Sequence, residues 1–274
     1  MRRTISKKRQ RNPIARAFRV LAWMATSPDQ GHGARAIAAN VDMAPSTVHR
    51  ILAMLQEVGL VRRDTPDGGY TLGLEFVRIA SQVASQLPLR ATALRAITDL
   101  VEACDETALL GVYDPQRMEM IYIATVETRH PVRYFVDLYQ WLPLAAGAGG
   151  LAILAFLPKK QQDLILRKPI RPFTERTITN RNDLKRELTD IRRRGYAFSR
   201  GRRIPGAVGI GAPIIGSEGQ VLGVVMLTIP EQRFDTGSLS KLADLVVRCA
   251  RLITQRIGGR APAIVGRPER KQSR

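Results

Sequence analysis

Cysteine is almost missing from this chain. Only Cys104 and Cys249 occur, and neither has a close neighbour, so no CxxC redox pair and no zinc-finger spacing can be built from them. Both fall in apolar periodic stretches and read as small buried hydrophobes, at home in a reducing compartment. Histidine is nearly as scarce. His32 and His130 stand alone in loop-like surroundings, and no metal site is expected. The chain has no Ser/His/Asp set in a suitable context, no GxGxxG opening a helix and no glycine-rich loop ending in GK[ST], so an enzyme is not expected and no cofactor is implied. Long hydrophobic runs are absent too. The longest, "LPLAAGAGGLAILAFLP", is broken by glycine and stops at Pro158. It is short for a bilayer span and reads as a buried loop followed by a helix. The N-terminal "MRRTISKKRQR" is basic, but no apolar core follows it, so it is not a secretory signal and a cytoplasmic location is expected.

Acidic residues are the last deficit. Lys+Arg number 43 against 24 Asp+Glu, a net charge of +19. Such an excess calls for an anionic counterpart. Nucleic acid is the favoured one, and an anionic membrane surface is the rival. The basic arm lacks the interleaved aromatics or broad apolar face that insertion into lipid needs, so no membrane partner is expected. With 274 residues, 45% of them hydrophobic, the chain can form one large domain or two ordinary ones.

What is present is a segment with two kinds of surface, "MAPSTVHRILAMLQEVGLVRR", Met43 to Arg63. Val48, Ile51, Leu52 and Leu55 recur at helical spacing and predict an anchored stripe. Thr47, His49, Arg50 and Met54 point elsewhere. Pro45 suits a first helical turn, and Gly59 supplies a left-handed stop. Upstream, Asn12-Pro13 starts a helix with Ile14, Ala17, Phe18 and Leu21 predicted inward. "ARAIAANV" is a short second helix that turns at "DMA" into the third. "LVRRDT" and "YTLG", separated by the turn "PDGG", predict a two-stranded wing. This order is helix-turn-helix organisation.

The spacing therefore sets out a DNA interface. Arg50 can bridge guanine, and Thr47 and His49 occupy the same early turns. The helix start at Pro45 and Ser46 offers free N–H groups and a hydroxyl to phosphate. Arg62, Arg63 and Tyr70 fall on the wing, and Arg16 and the basic arm can add screening-sensitive contacts. The expected boundaries are a flexible basic arm at 1–11, a winged helix-turn-helix domain at 12–73, a linker helix at 74–90, a second domain at 91–257 and a flexible basic tail at 258–274. In the second domain, "TALLGVYD", "EMIYIATV", "VRYFV", "YAFSR", "GAVGIGAPII" and "QVLGVVMLTI" read as strands. Helices are predicted up to Cys104, near 149–157, 159–167 and 182–194, and over 238–257. Hairpin-linked strands among helices make this α+β.

At these residues the chain resembles a family. "PSTVHRILAMLQEVGLVRR" followed by "GGYTLGLEFVRIAS" is similar to the DNA-binding domain and linker of IclR-type bacterial transcriptional regulators. "DETALLGVYD", "GGLAILAFLP", "LTDIRRRGYAFS" and "GIGAPI" continue that order through roughly residues 12–255. The resemblance implies a winged helix-turn-helix joined to a C-terminal GAF-like α/β sensory domain, assembled as a homodimer or homotetramer on a double-stranded DNA operator. It also implies a pocket for a small-molecule effector.

Here the chain departs from the family pattern. The glycine-rich loop usually reads His-Ala-Ser-Gly-Ala-Gly-Lys-Ala. In this sequence it runs Ala145-Ala146-Gly147-Ala148-Gly149-Gly150-Leu151-Ala152, apolar at the His and Lys positions. Acidic residues usually follow "RGYAF"; here Ser199-Arg200-Gly201-Arg202-Arg203 stands in their place. A frequent cysteine is Gly209, and two frequent serines are Met226 and Thr228. Ala148, Gly149, Ser199 and Thr228 remain usable for holding an acid. Gly209 and Met226 predict a roomier, more apolar site. Tyr134, Phe135 and Trp141 are candidates to line it. A hydrophobic or aromatic effector is expected, with Arg202 or Arg203 available to a carboxylate. The alternatives are a non-specific architectural nucleic-acid binder and, less favoured, a GAF-like enzyme.

Overall fold

The computed structural model describes residues 12–27, 31–63, 69–85 and 88–261. The basic arm, most of the wing turn and the last thirteen residues of the tail lie outside the described residues. The chain divides into two compact units, Met1–Gln86 and Leu87–Arg274.

The first unit packs three helices and a ribbon. Helix α1 (Pro13–Thr26) starts where Asn12 caps it, its side chain accepting from the Ile14 N–H at 2.9 Å. Helix α2 (Ala34–Val41) ends at Asp42 in a left-handed conformation, φ 52°. Helix α3 (Pro45–Glu57) follows and is closed by Gly59 at φ +70°. The Gly59 N–H donates to the Gln56 carbonyl at 3.0 Å, and the Leu60 N–H to that of Leu55 at 2.9 Å. Those two bonds satisfy carbonyls that a helix end otherwise leaves open. Strands β1 (Val61–Arg63) and β2 (Tyr70–Leu72) pair antiparallel, Arg62 opposite Thr71. His32 joins the ribbon by a reciprocal backbone pair with Tyr70, at 3.0 and 2.8 Å.

The core of this unit contains Ile37, Ala38, Val41, Val48, Ile51, Leu52 and Leu55, the residues that helical spacing puts inward. The first helix corrects the sequence reading. Its buried residues are Val20, Leu21 and Met24, with Ala17 alongside, whereas Ile14 is 70% and Phe18 67% exposed. Successive helical residues turn about 100°, so a stripe through 17, 20, 21 and 24 carries Phe18 off the core face.

Helix α4 (Leu74–Ser85) follows the ribbon, and α5 (Pro88–Cys104) opens the second unit. Residues 86 and 87, inside the expected linker, lie outside the described residues. The second unit is built on one antiparallel sheet of order β5-β4-β3-β8-β7-β6. Its strands are β3 (Thr107–Asp114), β4 (Glu119–Val126), β5 (Leu142–Pro143), β6 (Ala197–Arg200), β7 (Ala207–Ile215) and β8 (Val221–Pro230). Because alternate residues face opposite sides, Ala108 and Leu110 join α5 and α9 (Leu239–Arg256) in one core, while Leu109 joins α6 (Gly147–Phe156), α7 (Lys159–Arg167) and α8 (Arg181–Arg194) in the other. Fold and class are therefore α+β.

"VRYFV" corrects another expectation: residues 132–136 form no strand. The segment instead leads to the two-residue β5, and Val132, Arg133 and Phe135 face solvent. Cys249 is buried and Cys104 half-buried; burial pushes both thiols up, Cys249 to about 12, so neither is a ready nucleophile.

Candidate nucleic-acid interface and ligand cavity

In the first unit, α3 separates anchor from reader. Val48, Ile51, Leu52 and Leu55 are buried, and Pro45, Ser46, His49 and Arg50 are exposed, with Thr47 half-buried beside them. The Arg50 guanidinium has no acidic partner among the described residues. Ala44 caps the helix without a side-chain bond, so the Ser46 and Thr47 N–H groups stay open to an anion. On the ribbon, Arg62 and Arg63 are exposed, and Arg62 Nε donates to Thr71 Oγ1 at 3.2 Å. Arg16 lies half-buried on α1.

Tyr70 is a correction. Only 6% exposed, it sits in the three-helix core. Its ring meets His49 edge-on at 6.3 Å and lies 5.7 Å from the Arg63 guanidinium carbon. Strand alternation turns Arg62 and Tyr70 to different sides, so Tyr70 supports two outward residues from beneath.

In the second unit, a largely apolar cavity opens between the sheet and the start of α6. Register explains how it forms. Ser199 pairs with Gly209 and Gly209 with Thr228, so residues from three strands line up in one lateral row. Ala148 and Gly149, in the first turn of α6, lie over that row, and Met226 stands beside it. A Cβ on Gly209 would approach that of Ala148 to 3.1 Å, and one on Gly149 would land on the Tyr122 hydroxyl. Glycine at these two places lets helix and sheet approach closely.

The cavity is apolar with a few polar groups. Ser199 and Thr228 are each 4% exposed, and neither hydroxyl has a protein partner among the described residues. Tyr122 donates only to the Met226 sulfur, at 2.8 Å, and burial pushes its phenol up. Arg203 also lines the cavity and forms no ion pair among the described residues. Burial pulls its guanidinium down from its usual value, partly opposed by Tyr122, yet an arginine stays charged at neutral pH. The Phe173 ring faces it at 4.9 Å. The loop bearing Arg203 is tied at three points: Thr174 Oγ1 donates to Gly201 O at 2.6 Å, Thr177 Oγ1 to Arg202 O at 2.7 Å and Tyr134 OH to Pro205 O at 2.9 Å.

Seven of the eleven residues named from sequence for this site line the cavity: Ala148, Gly149, Ser199, Arg203, Gly209, Met226 and Thr228. Tyr134 and Phe135 do not. Tyr134 binds the outside of the arginine loop, and Phe135 is 80% exposed, because their segment crosses the surface rather than joining the sheet. Trp141 lies outside as well, under Arg117 at 4.3 Å. Arg202 turns to Glu187. Met120, Tyr122 and Val136 line the cavity without having been singled out. Alternation within "EMIYIATV" puts Met120 and Tyr122 on one face, but only the pairing with β3 says which face that is.

Residues 81–255 match the family described as bacterial transcriptional regulator IclR C-terminal, and residues 13–65 match the IclR helix-turn-helix domain. The chain belongs to the IclR family. It is 31% identical over 217 residues to the HTH-type transcriptional regulator KipR of Bacillus subtilis, spanning 79% of this chain and 86% of KipR. It is 30% identical over 239 residues to BhcR of Paracoccus denitrificans, spanning 87% of this chain and 84% of that one. A solved IclR homologue from Microbacterium hydrocarbonoxydans, complexed with 4-hydroxybenzoate, aligns over 90% of this chain and 99% of its own with a TM-score of 0.78 and 25% identity. The IclR family comprises transcriptional regulators, not enzymes, and this IclR chain carries the helix-turn-helix DNA-binding domain. Among its described residues no helix is long and apolar enough to cross a membrane.

Proposed function

We propose that this IclR-family regulator changes its occupancy of an operator in response to a small organic acid with an apolar, aromatic body. The observation that carries the reading is Arg203, a half-buried cation lining a largely apolar cavity with no carboxylate of the protein beside it. A partly desolvated charge favours a counter-ion, and a bound carboxylate would supply one. The Ser199 and Thr228 hydroxyls and the first N–H groups of α6 can share that carboxylate. Tyr122, Met120 and Met226 offer an aromatic and two thioethers to the remainder of the ligand. The homologue that holds 4-hydroxybenzoate supports the same class.

The regulator acts in the cytoplasm as a homodimer or homotetramer, its GAF-like second domain reporting through a linker at 74–90. A twofold assembly sets recognition helices about 34 Å apart on a pseudo-palindromic operator. A coupling of about 1–3 kcal/mol between cavity and operator changes occupancy several-fold or more.

A thermal-shift panel of benzoate, 4-hydroxybenzoate, their amides, pyruvate and glyoxylate tests the cavity. Aromatic acids should raise the midpoint of the second unit, by roughly 2.7 kcal/mol of added stability at a hundredfold excess over Kd. Stabilisation by pyruvate or glyoxylate alone, or equally by the amides, overturns the assignment. On the DNA side, Arg50→Ala should weaken operator binding by about 1–3 kcal/mol and relax preference at one base pair. Selection from randomised duplexes reads this directly; an unaltered preference shows that Arg50 reads no base.

A further inference from the structure

Most of the positive charge of this chain lies outside the helix-turn-helix itself: the arm at 1–11 carries six Lys+Arg and no acid, and a larger block lies in the second unit. Residues 12–73 carry six Lys+Arg against five Asp+Glu. Residues 159–203, in the second unit, carry fifteen against five, more than half of the chain's net +19. They include α7 and α8, which pack their apolar sides, Leu166 with Leu184, Leu188 and Ile191, into the same core.

The two helices are tied together. Arg181 Nη2 on α8 donates to the Arg167 carbonyl at 2.7 Å. Gln162 on α7 and Arg192 on α8 both donate to the Ala155 and Leu157 carbonyls at the end of α6. Some of the charge is spent locally, in the pairs Lys159–Asp163, Arg186–Asp183 and Arg193–Asp190, and in the bridges from Arg194 and Arg202 to Glu187. Lys160, Arg167, Lys168, Arg171 and Lys185 are exposed and have no acidic partner among the described residues.

We infer that the solvent face of α7 and α8 is a second, sequence-independent contact for the phosphates of duplex DNA. Charge complementarity and composition decide between a nucleic acid and a protein as its occupant. The α7–α8 surface is rich in lysine and arginine and offers Leu164 as its one large exposed apolar side chain among the described residues. Protein interfaces deplete lysine and centre on aromatic anchors, whereas DNA interfaces are polar and strongly positive. Size agrees: α8 has 14 residues, and a helix of that length spans about 21 Å, over which one strand of B-DNA presents about six phosphates. The winged helix itself has nearly balanced charge and supplies base reading, and this face adds to the basic arm an attraction that carries no sequence information.

The test uses the full chain and a mixed-sequence duplex, with affinity measured across a salt series. The variant carries Lys160→Gln, Arg167→Gln, Lys168→Gln and Lys185→Gln, all exposed, and glutamine keeps the helices well supported. Losing four phosphate contacts should reduce the slope of log K against log salt by about 3.6 and lower affinity at moderate salt at least tenfold. A control variant with Lys241→Gln, Arg248→Gln and Arg251→Gln, exposed on α9, should change the slope by less than about 1. Equal slopes for the two variants overturn the inference. A photo-crosslinking residue at position 185 gives a second readout that does not depend on the variant's folding: a protein–DNA adduct with the duplex is expected, and its absence at saturating duplex overturns the inference as well.

Discussion

Leu52→Ala will remove duplex binding from the full chain and leave the second unit's melting transition and ligand response in place. Leu52 has no exposed surface, and it lies in the stripe through which α3 is anchored on α1 and α2. Truncating such a leucine costs about 2–5 kcal/mol, from lost transfer energy and the cavity left behind. The first unit is small, and small domains hold little stability in reserve. The loss therefore populates the unfolded form of the winged domain at ordinary temperature. Because the chain divides into two units with separate cores, calorimetry should show one transition shifted or lost and the other unchanged. If Leu52→Ala binds DNA as the parent does, α3 is not held by this core.

Arg203→Gln will weaken an aromatic acid by roughly 30- to 100-fold while leaving the corresponding amide nearly unaffected. The figure follows from the 2–3 kcal/mol typical of removing one partner of a largely desolvated charge pair, taken at the low end because Arg203 keeps some solvent access. Its position is set by the Thr174, Thr177 and Tyr134 bonds to its loop, so the substitution removes charge without releasing the loop. Arg203→Lys should recover part of the affinity, since lysine restores the charge but not the planar two-point geometry. Titration calorimetry with acid and amide separates this from a general loss of shape: an equal fall for both ligands means that Arg203 is only a wall of the cavity.

The sequence was most informative where the physics is local. The helical period of Val48, Ile51, Leu52 and Leu55, the Asn12-Pro13 start and the left-handed Gly59 are each settled within a few residues, and all stand in the structure. Ile14 and Phe18 show the limit of the same rule. Their spacing is also helical, but periodicity does not say which of two apolar arcs meets a neighbour. Tyr70 shows it for strands, where an apolar body with a polar tip is as much at home in a core as on a rim. The excess of positive charge was legible as a total, whereas its concentration on α7 and α8 became a surface only when those helices packed against the same core.

For the cavity, the sequence by itself determined the parts that depend on backbone: glycine at 149 and 209, where a helix start approaches a sheet, and the apolar turn around them. Tertiary structure alone decided which side chains complete it. Tyr122 and Met226 meet across 104 residues of chain, and Arg203 turns inward while its neighbour Arg202 pairs with Glu187. Tyr134 and Phe135 are left outside for the same reason. Local sequence sets the conformation of each segment, but a cavity is the space between segments, and strand register and helix packing determine which residues border it.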